Sequence, residues 1–457
     1  MSQEKEDLWT KSKKGKFLTF GMPKFGTSLI MGFADFALLT LYTLAYQLPP
    51  VPTTFALGLG KLTIAAAQFG FGWISDAKYT RFGRRKPYLI ILSPILGLSF
   101  IFLLLPSLLI DITDITALFL WLLIWYQIFN VCYGVTSPYG SWMTEQFIID
   151  DRPKASQYEQ LFGMIGTAVI SVFSMVVLTA SIEDIQANPN IIPSEFLYSV
   201  IIFGIIPVVL YYLATFLMPT EPHFKIELNV FQNLKMTLKN KNFILVTLMI
   251  GIASLAWTPV GNLILSYIEV VLVFDFMTNI IASAIFVIGI LVFLYVWRRL
   301  VHKLGKKRSI LYVFLIAIVI LPFSLLGMIA MDSTLIFGLL FMLGLTGCIS
   351  GWFLLPPVFF SDITEDDEKT TGELRSGIYK GFPSIFLNIF QFLGLLMVGF
   401  LLDLPEINVG TSSFSIGYVI WGPICSLILI VAYLYSRKFI KLDFEWEKNS
   451  IKEKEIK

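Results

Sequence analysis

The sequence predicts an all-α polytopic membrane protein, with twelve transmembrane helices arranged as two six-helix halves. Composition is the first reason: of 457 residues 56% are hydrophobic and only 14% charged, with a mean hydropathy of +0.76, far outside the balance of a soluble domain. The second is run length. The apolar stretches continue over about twenty residues, enough for a helix to cross a hydrocarbon core of about 30 Å, whereas barrel strands alternate over about ten. The third is an internal echo. The stretch Gly72 to Pro87 contains Gly83-Arg84-Arg85-Lys86, and it returns as Gly305-Lys306-Lys307-Arg308. Pro138 to Glu145, running on to Asp150 and Asp151, returns as Pro356 to Asp362 with Asp366 and Asp367. Both echoes lie at nearly the same offset, so they read as one duplication.

Taken in order, the apolar windows fall at 25–48, 53–75, 88–110, 115–142, 157–181 and 194–218 in the first half. In the second they fall at 243–271, 276–297, 309–331, 334–360, 375–402 and 413–436. The expected domains are therefore a polar segment 1–24, bundles over 25–218 and 243–436, a linker 219–242 and a tail 437–457. The connections alternate. Those at 76–87, 143–156, 219–242, 298–308 and 361–374 are rich in Lys and Arg, while those around Pro49, Asp111, Glu183, Asp275, Asp332 and Asp403 have none. By the positive-inside rule both termini are expected in the cytoplasm, with the chain multi-pass in the cell membrane.

Several function classes drop out. A net charge of +2, with its cations confined to particular loops, gives no nucleic-acid-binding face. Cys132, Cys348 and Cys425 are scattered within apolar runs and outline neither a disulfide framework nor a metal site. Residues 1–24 lack a short apolar core before a cleavage site, so no signal peptide is read. Gly60-Lys61 fails the phosphate-loop pattern, and the two histidines, His223 and His302, fall in connecting segments away from any nucleophile. No enzyme, cofactor or metal is expected.

Within the spans, Asp35 lies about ten residues into the first window, a depth of roughly 15 Å. A carboxylate there needs a cavity or a partner, and Lys61 lies at similar depth on the second. Two readings stand side by side: Asp35 contacts substrate, or it forms a fixed ion pair with Lys61. Gln68, Gln127, Asn130, Thr136, Gln160, Asn262, Asn388 and Gln391 place neutral hydrogen-bonding groups in spans of both halves, either as interhelical ties or as partners for substrate hydroxyls. Trp257 and Trp352 offer indole faces that suit the C–H face of a pyranose.

Twelve spans, the half-and-half duplication and the basic cluster after the second span resemble the major facilitator superfamily. Four stretches are similar to its glycoside-pentoside-hexuronide:cation symporter family, of which melibiose permease is a member: Gly32 to Ala37, Gly72 to Pro87, Pro138 to Arg152, and Ser361 to Gly372 with Arg375. The resemblance implies that Asp35 hydrogen-bonds sugar hydroxyls and that Trp352 lies near a sugar-contacting tryptophan. The departures are equally specific. Positions that carry the family's cation-binding acids are Ile64, Gln68 and Thr136 here, a family arginine falls on Gln160, and a family lysine falls on Asn388. A Na⁺ site needs several hard oxygens and proton coupling needs a titratable group, so the usual cation site is expected to be missing.

The expected function is a secondary active or facilitative carrier of a sugar or glycoside by alternating access, with H⁺ or Na⁺ as candidate coupling ions, acting as a monomer in the lipid bilayer. The alternatives are a carrier of another organic solute or lysolipid, and a non-transporting sensor on the same fold. The expected substrate residues are Asp35, Lys61, Gln68, Thr136, Gln160, Trp257, Trp352, Asn388 and Gln391, around a midplane cavity. An expected cytoplasmic gate comprises Asp76, Arg81, Arg84, Arg85 and Glu145, with Asp362 at the matching place in the second half.

Overall fold

A computed structural model describes residues 13–77, 79–148, 151–189, 191–220, 238–329, 334–371, 376–410 and 412–441. Asp150, His223 and Arg375 lie outside the described residues, as does the Asp76 side chain. Among the described residues, eleven helices are long and apolar enough to cross a membrane. A further pair, Lys14–Phe36 and Leu38–Ala45, bends by 50° and makes a twelfth span when read as one. The chain divides into two compact units, Met1–Leu228 with Gly261–Ser266, and Asn229–Val260 with Tyr267–Lys457.

In the first unit, span 1 is Lys13–Phe36, broken at Ala37 and continued through Leu38–Thr40 and the π-helical turn Leu41–Ala45. It starts twelve residues before the expected position. The extra turns are held by aromatic packing: Phe17 stacks on Phe147 at 5.3 Å and on Tyr158 at 5.8 Å, and Phe20 stacks on Tyr139 at 5.0 Å. Span 2 is Pro50–Ala77 and span 3 is Lys86–Leu104. Span 4 runs over Ile115–Tyr133 and, after a turn at Gly134, Thr136–Gln146. Span 5 joins Arg152–Phe173, the π-helical turn Ser174–Leu178 and Thr179–Ala187, and span 6 is Ser194–Leu217.

Small residues set the close crossings, since helices in lipid gain their attraction from packing and not from hydrophobic exclusion. A methyl group on Gly166 of span 5 would lie 2.4 Å from the Phe25 carbonyl oxygen of span 1, and one on Gly97 of span 3 would lie 2.3 Å from the Gly204 carbonyl oxygen of span 6. Span 3 loses its helical bonds at its end, and the tyrosines of span 1 supply replacements. Tyr42 donates to the Leu103 carbonyl at 2.6 Å and Tyr46 to the Leu104 carbonyl at 2.7 Å.

Span 7 is Lys241–Tyr267 with the π-helical turn Ile268–Leu272, in the second unit apart from Gly261–Ser266, and span 8 of that unit is Phe276–Leu304. Asp275 caps span 8, accepting from the Thr278 amide at 2.8 Å, and the hydrogen bonds from Thr278 hold its carboxyl below the usual range. Span 9 is Lys306–Ile320 followed by the 3₁₀ stretch Leu321–Met328, span 10 is Thr334–Thr371, span 11 is Ser376–Leu402 and span 12 is Gly417–Phe439. Spans 11 and 12 are joined by an unexpected hairpin: β1, Glu406–Val409, pairs antiparallel with β2, Ser412–Ser415. Gly410 at its turn has φ 60°, a left-handed value that glycine adopts without cost. This small sheet is the one departure from the all-α expectation among the described residues.

Candidate functional site

The polar group of the first unit is built on spans 1, 2 and 4. At Gly60 the second and fourth spans nearly touch: a methyl group there would lie 2.1 Å from Tyr126 Cε1 and 2.6 Å from Asn130 Nδ2. The crossing presents the next residue, Lys61, toward span 1, where its ammonium donates to Asp35 Oδ1. The two partners are unequally covered. The Lys61 side chain is 10% exposed and the Asp35 side chain 48%. The carboxylate therefore serves as the counter-ion of a buried ammonium while keeping half of its own surface open. Asp35 is the penultimate residue of the helix Lys13–Phe36, at the 50° bend, so its position depends on the break at Ala37.

Around this pair, Tyr126 lies within electrostatic reach of both Lys61 and Asp35. Asn130 is buried and donates through Nδ2 to the Tyr126 carbonyl at 2.7 Å, while its Oδ1 is buried without a hydrogen-bond partner. Thr63 donates to Gln127 Oε1 at 2.5 Å, and Gln127 Nε2 donates to the Ala56 carbonyl at 3.2 Å. Further along, Gln68 Nε2 donates to Thr136 Oγ1 at 3.1 Å, and the Thr136 hydroxyl donates to the Tyr133 carbonyl at 2.9 Å. Two of the three positions at which the resembling family carries cation-binding acids thus meet, and what joins them is a neutral amide–hydroxyl bond. Gln160 is exposed and makes no hydrogen bond with a described residue.

An acid that the sequence reading passed over is Glu159. With span 5 starting at Arg152, Glu159 is the eighth residue of the helix, about 10 Å along it. It lies within electrostatic reach of Tyr133, Tyr139 and Tyr211, so Asp35 is not the only acid deep in the first unit. The signal was present: starting the helix five residues earlier, at Arg152, would have carried Glu159 inward.

In the second unit Trp257 and Trp352 stack with centroids 5.7 Å apart and planes at 20°, and Phe314 lies 6.4 Å from Trp352. Trp257 is buried and its indole N–H has no hydrogen-bond partner, whereas Trp352 is half-buried. Trp257 is therefore a backing plate for Trp352, with one face already covered. Span 11 packs along span 7 at Gly251 against Phe390 and at Gly394 against Thr258, which brings the stretch carrying Gln391 beside the stretch carrying Trp257. Asn388 is buried and donates to the Ser384 carbonyl at 2.7 Å.

The duplicated basic loops make the same bond in each unit. Gly83 and Gly305 have φ 99° and 81°, and after these turns Arg84, Arg85 and Lys306 point back into their own units. Arg84 and Arg85 both bond Glu145 at the end of span 4, Arg85 through Nε at 3.0 Å and Nη2 at 2.8 Å. Arg85 Nη1 also donates to Ser75 at 2.5 Å. In the second unit Lys306 bonds Asp362 of span 10 at 2.8 Å. Arg81 is exposed, its guanidinium 4.7 Å from the Phe82 ring centre, and takes no part in the buried cluster. No group of three or more metal-binding side chains occurs among the described residues.

Helical units of this kind, each with polar groups inside its spans and a basic loop after its second helix, define a polytopic membrane transporter of the major facilitator type. The chain belongs to the MFS/sugar transport protein family, whose model matches residues 19–436. Solved structures share the fold at low identity. A D-xylose–proton symporter matches with a TM-score of 0.64 at 14% identity, covering 93% of this chain and 97% of that one. The nucleoside transporter NupG gives 0.59 at 15% identity, covering 93% and 98%. A bacterial homologue of the human lysosomal transporter Spinster, inward-facing and unoccupied, gives 0.61 at 13%, covering 94% and 97%. No curated protein sequence matches the chain.

Proposed function

We propose that the protein carries a sugar or glycoside across the cell membrane by alternating access of its two units, as a monomer with both termini cytoplasmic and with no chemical conversion of its cargo. The observation that carries this reading is the uneven Asp35–Lys61 pair, in a chain of the sugar transport family. A carboxylate pinned by one oxygen to a buried ammonium has no freedom to leave, yet its open side accepts hydroxyl donors in charge-assisted hydrogen bonds. Trp352, braced from behind by Trp257, supplies the flat apolar face that a pyranose ring needs. Gln68, Thr136, Gln160, Asn388 and Gln391 add neutral donors and acceptors.

The Gln68–Thr136 bond supports transport that does not use Na⁺, since the pair leaves no carboxylate where the resembling family has acids. The cation–carboxylate bonds of the basic side, from Arg84 and Arg85 to Glu145 and from Lys306 to Asp362, act with the positive-inside charge to close that side. The reading is tested by thermal stabilisation of the purified chain against sugars, glycosides and lysolipids, with and without Na⁺ and across pH. Stabilisation by sugars or glycosides that Asp35→Asn abolishes is the expected result. Stabilisation by lysolipids alone refutes it.

A further inference from the structure

We infer that span 8 and span 10 hold one anionic phospholipid, its acyl chain in a furrow of the second unit and its headgroup on the arginines at the end of span 8. The furrow is apolar and has a volume of about 450 Å³, lined by Ile281, Ile285, Ile288 and Val292 of span 8 and by Leu343 of span 10. It exists because Gly289 meets Thr346 of span 10 with no side chain of its own: a methyl group there would lie 2.5 Å from Thr346 Oγ1. Its span 8 wall is open, with Ile288 60% and Val292 53% exposed.

The wall continues along one helical stripe. Ile281, Ile288, Val292, Tyr295 and Arg299 follow each other at intervals of seven, four, three and four residues, which keeps them on the same face. Span 8 has 29 residues, about 43 Å at the helical rise, so it is longer than a hydrocarbon core of about 30 Å. Counted from its capped start at Asp275, the core is used up near Tyr295, and Arg298, Arg299 and Lys303 stand at headgroup level. Tyr295 is 56% exposed and carries the Arg299 guanidinium 4.5 Å over its ring, an aromatic and a cation sharing one interfacial position. Arg298, Arg299 and Lys303 are exposed.

The distance from this cluster to the furrow matches one leaflet. Arg299 lies seven to eleven residues from Val292 and Ile288, about 10–16 Å along the helix, and half a hydrocarbon core is about 15 Å. A phosphate on the arginines therefore sets its chain alongside Val292 and Ile288. The charge of the cluster selects an anionic lipid over a zwitterionic one, since juxtamembrane cations attract anionic headgroups at about 1 kcal/mol each.

Native mass spectrometry of the full chain, titrated with phosphatidylglycerol and separately with phosphatidylcholine, tests this. The expected result is one phosphatidylglycerol retained more tightly than phosphatidylcholine. Arg298→Gln with Arg299→Gln should weaken it by about thirtyfold, from about 1 kcal/mol per cation. Ile288→Trp, which fills the furrow and leaves every charge in place, should weaken it as well, while Arg437→Gln with Lys438→Gln, which removes as many cations at the end of span 12, should change it less than threefold. Equal retention of phosphatidylcholine, an equal loss in the span 12 variant, or undisturbed binding in Ile288→Trp overturns the proposal.

Discussion

The Asp35–Lys61 pair makes an asymmetric prediction, because its two side chains differ in exposure, 48% against 10%. Asp35→Asn leaves a buried ammonium facing a neutral amide. Breaking a fully buried pair costs about 3–5 kcal/mol, and the half-open carboxylate reduces that to about 2–3 kcal/mol here. Lys61→Met leaves a carboxylate that water reaches, and the methionine fills the space of the lysine stem, so the cost is at most about 1 kcal/mol. The double variant removes both charges and should return to within about 1 kcal/mol of the parent, giving a coupling of about 2 kcal/mol. For a unit of about 200 residues 1 kcal/mol corresponds to about 2–4 °C, so Asp35→Asn should lower the unfolding temperature by about 5–10 °C and the double variant by about 4 °C or less. The decisive readout is ligand-induced stabilisation in the same three variants. It should be lost in Asp35→Asn and stay lost in the double variant, since the amide cannot replace the carboxylate toward sugar hydroxyls. Recovery of both stability and ligand response in the double variant would make the pair structural and refute the substrate role of Asp35.

Three further outcomes follow from the geometry. Gly60→Val should destabilise the first unit by about 1–3 kcal/mol through overpacking against Tyr126, and Tyr126→Ala in that background should restore part of the loss; a neutral Gly60→Val in thermal unfolding contradicts the crossing described at that residue. Glu145→Gln leaves the Arg84 and Arg85 side chains, 7% and 3% exposed, without their carboxylate, and should cost about 3–5 kcal/mol, more than Asp362→Asn, whose pair is 15% and 13% exposed. Equal unfolding temperatures for the two variants would remove that ranking. Uptake of a stabilising sugar into proteoliposomes should be unchanged by an imposed Na⁺ gradient, and concentrative uptake that requires the gradient would mean that a cation site lies elsewhere.

Much of this was legible because a bilayer imposes long apolar runs and a charge rule on the connections, and both are one-dimensional signals. The pairing of Lys61 with Asp35 was readable for the same reason: two opposite charges at equal depth have few ways to be satisfied in lipid. What escaped depends on distant residues. The first helix starts at Lys13 because Phe17 and Phe20 find Phe147, Tyr139 and Tyr158, and no window of hydropathy contains those partners. Glu159 was passed over for a related reason, since its depth follows from the true start of span 5. The breaks at Ala37 and at the π-helical turns carry no residue that would mark them, and the hairpin between spans 11 and 12 is too short to rise above a loop. Arg81 could not be told from Arg84 and Arg85 by charge; the turn at Gly83 decides which cations face inward.

The two copies of the basic-side bond are similar in plan and differ in the cation that makes them, and the first bears on how a carrier of this design moves. In the first unit one carboxylate serves two guanidiniums that are almost wholly covered, and Ser75 of span 2 fixes the second of them. That end of the first unit holds spans 2 and 4 together through the loop between spans 2 and 3. In the second unit the matching bond joins the compact ammonium of Lys306, in place of a planar guanidinium fork, to Asp362. Lys86 adds a further tie in the first unit, donating to the Met218 carbonyl at 2.7 Å at the end of span 6, and Gln146 donates to the Pro219 carbonyl at 2.8 Å beside it. Four spans of the first unit are thus bound at one end by charge-assisted bonds to carboxylate, hydroxyl or carbonyl oxygens, with the Gln146 amide bond beside them. A rocking movement needs at least one unit that stays rigid while contacts outside it change. These ties among spans 2, 3, 4 and 6 suit the first unit to stay such a body on the basic side.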